Sequence, residues 1–187
     1  MSRAFLSVIL CLAVAGCGGS DPSTNRGGGE RSVQNSALTR LSLISSAFQE
    51  GQPIPAEFTC DGANRSPALS WGDPPAGTKS FALVVDDPDA PGGLFRHWGA
   101  YDIPPDKRSI AAGQSVGSQA VNDMGKPGYG GPCPPPGHGV HHYHFKLYAL
   151  NAEQLGLQPH AKAAEVEEAA RPHAIGQGEL IGTYERK

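Results

Sequence analysis

Val140-His141-His142-Tyr143-His144-Phe145-Lys146-Leu147-Tyr148-Ala149-Leu150 is the longest strand candidate in the chain. In an extended segment, side chains alternate between two faces. One face then carries His141, Tyr143, Phe145, Leu147 and Ala149, polar at its start and apolar afterwards. The other carries Val140, His142, His144, Lys146, Tyr148 and Leu150, and its His142, His144 and Lys146 read as a solvated surface. The pattern predicts a core-facing strand with His141 and Tyr143 at its rim. A pocket at the end of a sandwich is lined in that way.

Other strand candidates lie on either side. Phe81 to Asp86 is a short apolar run and reads as a buried strand. Trp98 to Ile103 is another, stopped by Pro104-Pro105, and His97 stands at its start. Leu41 to Ser45 alternates loosely, and Gly178 to Tyr184 is the last candidate. Turn residues separate these runs at Trp71 to Pro75, Gly92-Gly93 and Lys126-Pro127-Gly128. One segment, Ala161 to Ala170, is rich in helix formers and bracketed by Pro159 and Pro172. Several strands followed by one late helix predict a mainly-β domain.

Polar residues gather at the strand ends. Asp87 and Asp89 flank Pro88, which fixes its own φ and pushes Asp87 into extended geometry. Either carboxylate can hold an imidazole in one tautomer and favour its protonated form. An isolated Asp-Pro-Asp simply makes a turn with its oxygens on backbone N–H groups. With His97 and the second region also present, the pocket reading is preferred. Gly128 to Pro136 runs Gly-Tyr-Gly-Gly-Pro-Cys-Pro-Pro-Pro. Its prolines, Pro134 and Pro135 among them, make rigid walls. Gly130 and Gly131 would let backbone N–H groups approach a ligand closely. Imidazolium, a Tyr O–H and bare N–H groups are all donors, so the set suits a phosphate, sulfate or carboxylate. Arg96 is the one guanidinium in these motifs, so the binding expected is weak, and it should fall as pH rises through the imidazole range.

The two regions, Val85 to Trp98 and Gly128 to Phe145, resemble the signature regions of the phosphatidylethanolamine-binding protein family in its bacterial Raf kinase inhibitor-like branch. Cys60-Asp61-Gly62-Ala63-Asn64-Arg65-Ser66-Pro67 adds a third match, and the resemblance spans Leu38 to Arg186. It implies two packed antiparallel sheets, a Greek-key-like sandwich, with one or two short peripheral helices. It also implies a ligand site built from Asp87, Asp89, His97, His141 and Tyr143, with Pro134 and Pro135 as wall and Gly130 nearby. The family is associated with phosphoryl headgroup binding and, in various members, with inhibition of kinases or serine proteases. His142 stands where many members have Arg, which implies a weaker or more pH-dependent site.

The N-terminus speaks of location. Arg3 precedes an apolar run, Ala4 to Ala15, too short to cross a membrane as a mature helix. The run ends in Val14-Ala15-Gly16-Cys17, which looks like a bacterial lipoprotein signal with Cys17 as the lipidated new N-terminus. An ordinary secretory signal cut nearby is the alternative. The division predicted is a leader over 1–16, a lipidated Cys17 with a tether over 17–37, and one domain over 38–187. The tether lacks apolar periodicity and would reach on the order of 20–25 Å r.m.s.. The expected setting is the bacterial cell envelope, with the domain facing the periplasm or another extracytoplasmic space.

That processing leaves Cys60 and Cys133 of the four cysteines. A bridge between them would be worth ~4 kcal/mol in the chain-entropy treatment. Two buried free thiols are the alternative, and similar cysteines in cytosolic relatives weigh against the bridge.

Other functional classes compete with ligand binding. The net charge is −3 with no basic patch, so nucleic acid is not an expected partner. His138, His141, His142 and His144 are dense, but no HExxH or CxxC spacing supports zinc, and neither a metal nor a cofactor is expected. No Gly-x-Ser-x-Gly elbow nominates a nucleophile, although an Asp–His pair can activate water. The remaining competitor is an inhibitor of a protease or other extracytoplasmic enzyme, docking through the loops around the pocket.

Overall fold

The structure is a computed structural model and describes residues 38–187. The leader, the tether and Cys17 lie outside the described residues. The described residues form one compact unit.

The long alternating segment forms β8, His141–Leu150, at the centre of the larger sheet. It pairs antiparallel with β4, Ser80–Asp87, and with β9, Ala174–Tyr184. β5, Phe95–Ile103, flanks β4, and the short β7, Ser118–Gln119, closes that edge. On the other edge β1, Thr39–Arg40, pairs parallel with β9 and is the exception to the antiparallel rule. The smaller sheet holds β2, Leu43–Ser45, β3, Leu69–Trp71, and β6, Ser109–Ile110.

Period-two alternation explains how the layers meet. His141, Tyr143, Phe145, Leu147 and Ala149 are all buried against the smaller sheet and its loops. Phe81, Leu83 and Val85 of β4 join them, facing Leu43, Leu69, Trp71 and Ile110. The helix α1, Ala163–Ala170, covers the opposite face with Ala163, Val166 and Ala170 over Ala82, Val84, Tyr148 and Leu150. The fold is therefore small sheet, large sheet and helix, in that order.

That third layer corrects one expectation. His142 is exposed, but His144 and Lys146 are both half-buried, and Lys146 is the one turned into buried charged partners. Its ammonium sits 2.7 Å from Asp86, a carboxylate 1% exposed, and 3.8 Å from Glu167 on α1. Tyr148 and Arg171 also hydrogen-bond Glu167, at 3.0 and 2.9 Å. Burial opposes ionisation of Glu167, yet Arg171, Lys146 and Tyr148 together hold its carboxyl below the usual range. Two carboxylates and two cations thus offset one another beneath the helix. Unpaired, Asp86 and Glu167 would each be a buried charge.

Gly182 of β9 lies opposite Tyr143 at the pocket end of the sheet. A Cβ there would stand 2.6 Å from Ile54 Cγ1 and 2.7 Å from Phe48 Cε2. Gly182→Ala should therefore lose about 1–3 kcal/mol through overpacking, read as a lower denaturation midpoint at unchanged slope.

Candidate functional site

Strands β4, β5 and β8 bring their ends together beside the Pro-rich segment. Asp87 ends β4, His97 lies three residues into β5, and His141 begins β8. These three line one cavity of about 380 Å³. Its remaining wall is apolar: Ala90, Pro91, Phe95, Met124, Pro134 and Pro135, with Cys133 beside them. A larger concavity, about 840 Å³, runs along β1, β9 and Glu50. It is an open groove at the sheet edge with no buried titratable group, so the smaller pocket is the better chemical candidate.

Asp87 and His141 form the centre. Both are buried, at 3% and 1% exposure, and His141 Nδ1 lies 2.7 Å from Asp87 Oδ2. The carboxylate only accepts, so Nδ1 carries the proton and donates. Asp87 Oδ1 accepts the Asp89 N–H at 2.9 Å, as a turn through Pro88 requires. His141 Nε2 meets His138 Nδ1 at 2.8 Å. The site thus contains a chain from Asp87 through His141 to His138.

His97 is oriented from its other side. Its Nδ1 donates to the Gly130 carbonyl at 2.8 Å, which leaves Nε2 as the ring atom available to the pocket it lines. Burial pushes this imidazole below its ordinary value, although the Gly130 carbonyl and Asp87 pull the other way. Near neutral pH the ring is therefore uncharged and Nε2 is an acceptor.

Tyr143 lies deeper than the rim. It is 0% exposed, between the two imidazoles, with ring centroids 5.1 Å from His97 and 6.5 Å from His141. Its hydroxyl has no hydrogen-bond partner among the described residues. Burial and then the nearby Asp87 charge push its pKa well up, so it stays an O–H donor.

Asp89 and Gly130 take different places from those expected. Asp89 is exposed and turned to His142, accepting from its N–H at 2.8 Å and contacting its Nδ1 at 2.7 Å. That hydrogen bond holds the Asp89 carboxyl below its ordinary value. Gly130 and Gly131 do not offer free N–H groups to a ligand. Gly130 N–H donates to the His97 carbonyl at 2.8 Å and Gly131 N–H to Asn64 Oδ1 at 2.7 Å. Their role is to fix the wall and, through the Gly130 carbonyl, the His97 tautomer.

The wall itself is tied to the loop over 56–64. Cys60 and Cys133 form a disulfide, Cys60 N–H donates to the Pro132 carbonyl at 3.1 Å, and Tyr129 O–H to the Phe58 carbonyl at 2.8 Å. Asn64, Tyr129 and His138 are the supporting residues that the sequence reading missed. Asn64 takes a left-handed backbone, φ 53°, which Asn adopts more readily than most residues. Among the described residues no group of three His, Cys, Asp or Glu is placed to hold a metal ion.

Comparison with known proteins agrees with this architecture. The family described as "Phosphatidylethanolamine-binding protein" matches residues 44–185. A UPF0098 protein of Aquifex aeolicus is 46% identical over 152 residues, 78% of this chain and 89% of its own. A Mycobacterium tuberculosis protein named as a lipoprotein, LppC, is 40% identical over 193 residues, covering 99% of this chain and 95% of its own. The crystal structure of a Chlamydia trachomatis homologue of phosphatidylethanolamine-binding protein superposes with TM-score 0.73 at 37% identity. It covers 80% of this chain and 99% of that chain, so a relative made of this region alone adopts the fold. On sequence, fold and extent of coverage, the chain belongs to the phosphatidylethanolamine-binding protein family.

Proposed function

We propose that the chain is a membrane-tethered module that binds a small anionic, phosphoryl-type ligand or phospholipid headgroup in the Asp87–His97–His141 pocket. One observation carries the reading: a carboxylate-backed imidazole and a second imidazole line a cavity of headgroup size, with the unpaired Tyr143 phenol buried between the two rings. No Lys or Arg lines the cavity. Positive charge must then come from the imidazoles, and binding must take up a proton. The apolar walls exclude water and strengthen each hydrogen bond that forms. Support for the tether comes from Val14-Ala15-Gly16-Cys17 and from the relative named as a lipoprotein. The same features support an extracytoplasmic location.

The pH dependence tests this reading. Free His97 is held below the ordinary imidazole value by burial. A bound anion favours the charged ring and raises its pKa. The complex then holds more protons than the free protein, so affinity rises as pH falls through and below about 6.5. Glycerophosphorylethanolamine suits the measurement, because a phosphodiester keeps one negative charge throughout. Calorimetric titration from pH 8 to pH 5 should show tightening with proton uptake. Flat affinity across that range would remove the imidazolium role.

A second reading, a regulator of an extracytoplasmic enzyme, draws on the apolar rim. Met124 lines the pocket at 38% exposure, while Leu94 at 44% and Val140 at 52% directly precede the lining residues Phe95 and His141. Such a rim suits a protein surface as well as the body of a ligand.

A further inference from the structure

His141 is engaged at both ring nitrogens. Nδ1 donates to Asp87 and Nε2 contacts His138 Nδ1 at 2.8 Å. The Asp87 oxygens are likewise taken, by His141 and by the Asp89 N–H. His141 therefore lines the pocket without turning a free polar atom toward it. An anion needs a proton on His141 Nε2. His138 Nδ1 either accepts that proton or donates its own to the lone pair, and in both cases the position is filled.

His138 is unlike the residue it caps. It is exposed, whereas His141 is 1% exposed. It stands between Gly137 and Gly139, both in the left-handed region at φ 73° and 92°. Neither glycine has an atom within 4 Å of where a Cβ would sit, so packing does not pin them. Two backbone bonds hold the segment on its N-terminal side, from Gly137 to the Arg186 carbonyl at 2.9 Å and from His138 to that of Pro135 at 3.1 Å. Rotation of the His138 side chain alone would release His141 Nε2.

We propose that His138 is a built-in competitor. Its imidazole occupies the hydrogen-bonding position on His141 that a phosphoryl oxygen takes, and it swings outward when ligand binds. This rests on the phosphoryl reading given above. The pocket consequently binds more weakly than its fixed groups allow, by about the net worth of one hydrogen bond.

The test is calorimetric titration of residues 36–187, wild type and His138→Ala, with glycerophosphorylethanolamine. Removing the competitor should tighten binding about fivefold, corresponding to ~1 kcal/mol for one exchanged hydrogen bond. His138→Gln, which can keep a hydrogen bond to His141, should return toward wild type. The imidazole ¹⁵N shifts of His141 in the ligand-free variant supply a second readout and should move when His138 is truncated. Unchanged or weaker binding in His138→Ala, with the wild type binding, would overturn the competitor role alone. Unchanged His141 shifts would also overturn it, by showing that the contact is not populated in solution. Absence of binding by either protein would overturn both the competitor and the phosphoryl pocket.

Discussion

Replacing Asp87 by alanine should cost about 3 kcal/mol of stability and abolish ligand binding. Asp87 is 3% exposed and accepts two hydrogen bonds, from His141 Nδ1 at 2.7 Å and from Asp89 N–H at 2.9 Å. Truncation leaves the His141 N–H buried without an acceptor, and each such loss carries the desolvation cost of the stranded group. The turn through Pro88 loses its clasp as well. Asp87→Asn separates the two effects. The amide can still accept from one partner, so less stability should be lost. Its NH₂ cannot accept from His141 Nδ1, so that imidazole should flip to the other tautomer and move its proton to Nε2. Urea denaturation measures the first effect and imidazole ¹⁵N shifts the second. An alanine variant as stable as wild type would mean that the Asp87–His141 pair contributes nothing net.

Cys60→Ser with Cys133→Ser should lose a comparable amount, about 4 kcal/mol. The bridge spans a sequence separation of 73, and opening it restores that loop's freedom to the unfolded chain. The folded pocket should change little by comparison. Its wall remains held by the Cys60–Pro132 backbone bond, by Asn64 on Gly131 and by Tyr129 on Phe58. Ligand affinity should therefore stay near wild type wherever the variant is folded. Denaturation of the wild type with and without reductant gives the same comparison in one protein. A loss under 1 kcal/mol would show that the unfolded chain is already compact around the two cysteines.

The β8 register was legible because period-two alternation is a local property. It correctly divided His141, Tyr143 and Phe145 from His142 and His144. Depth was not local. Tyr143 is fully buried because the loops over 56–64 and 128–136 close over the strand end, and no window around residue 143 contains those loops. Lys146 misled for the same reason: α1 covers it from a distant part of the chain, and its partner Asp86 reads locally as the end of an apolar run. Gly130 and Gly131 carried the right cue for close approach, but what approaches is His97 and Asn64 rather than a ligand. β1, β3, β6 and β7 are two or three residues long, below the length at which alternation can be recognised. Cysteine spacing carries no distance, so the bridge was undecidable until the fold placed both residues.

Amide NMR mapping with glycerophosphorylethanolamine tests the central claim most directly. The expected result is a set of saturable shifts confined to residues 87–97 and 130–143, absent in Asp87→Ala. Shifts clustered instead along Leu38–Leu43 and Gln177–Glu179, or none at millimolar ligand, would contradict the account.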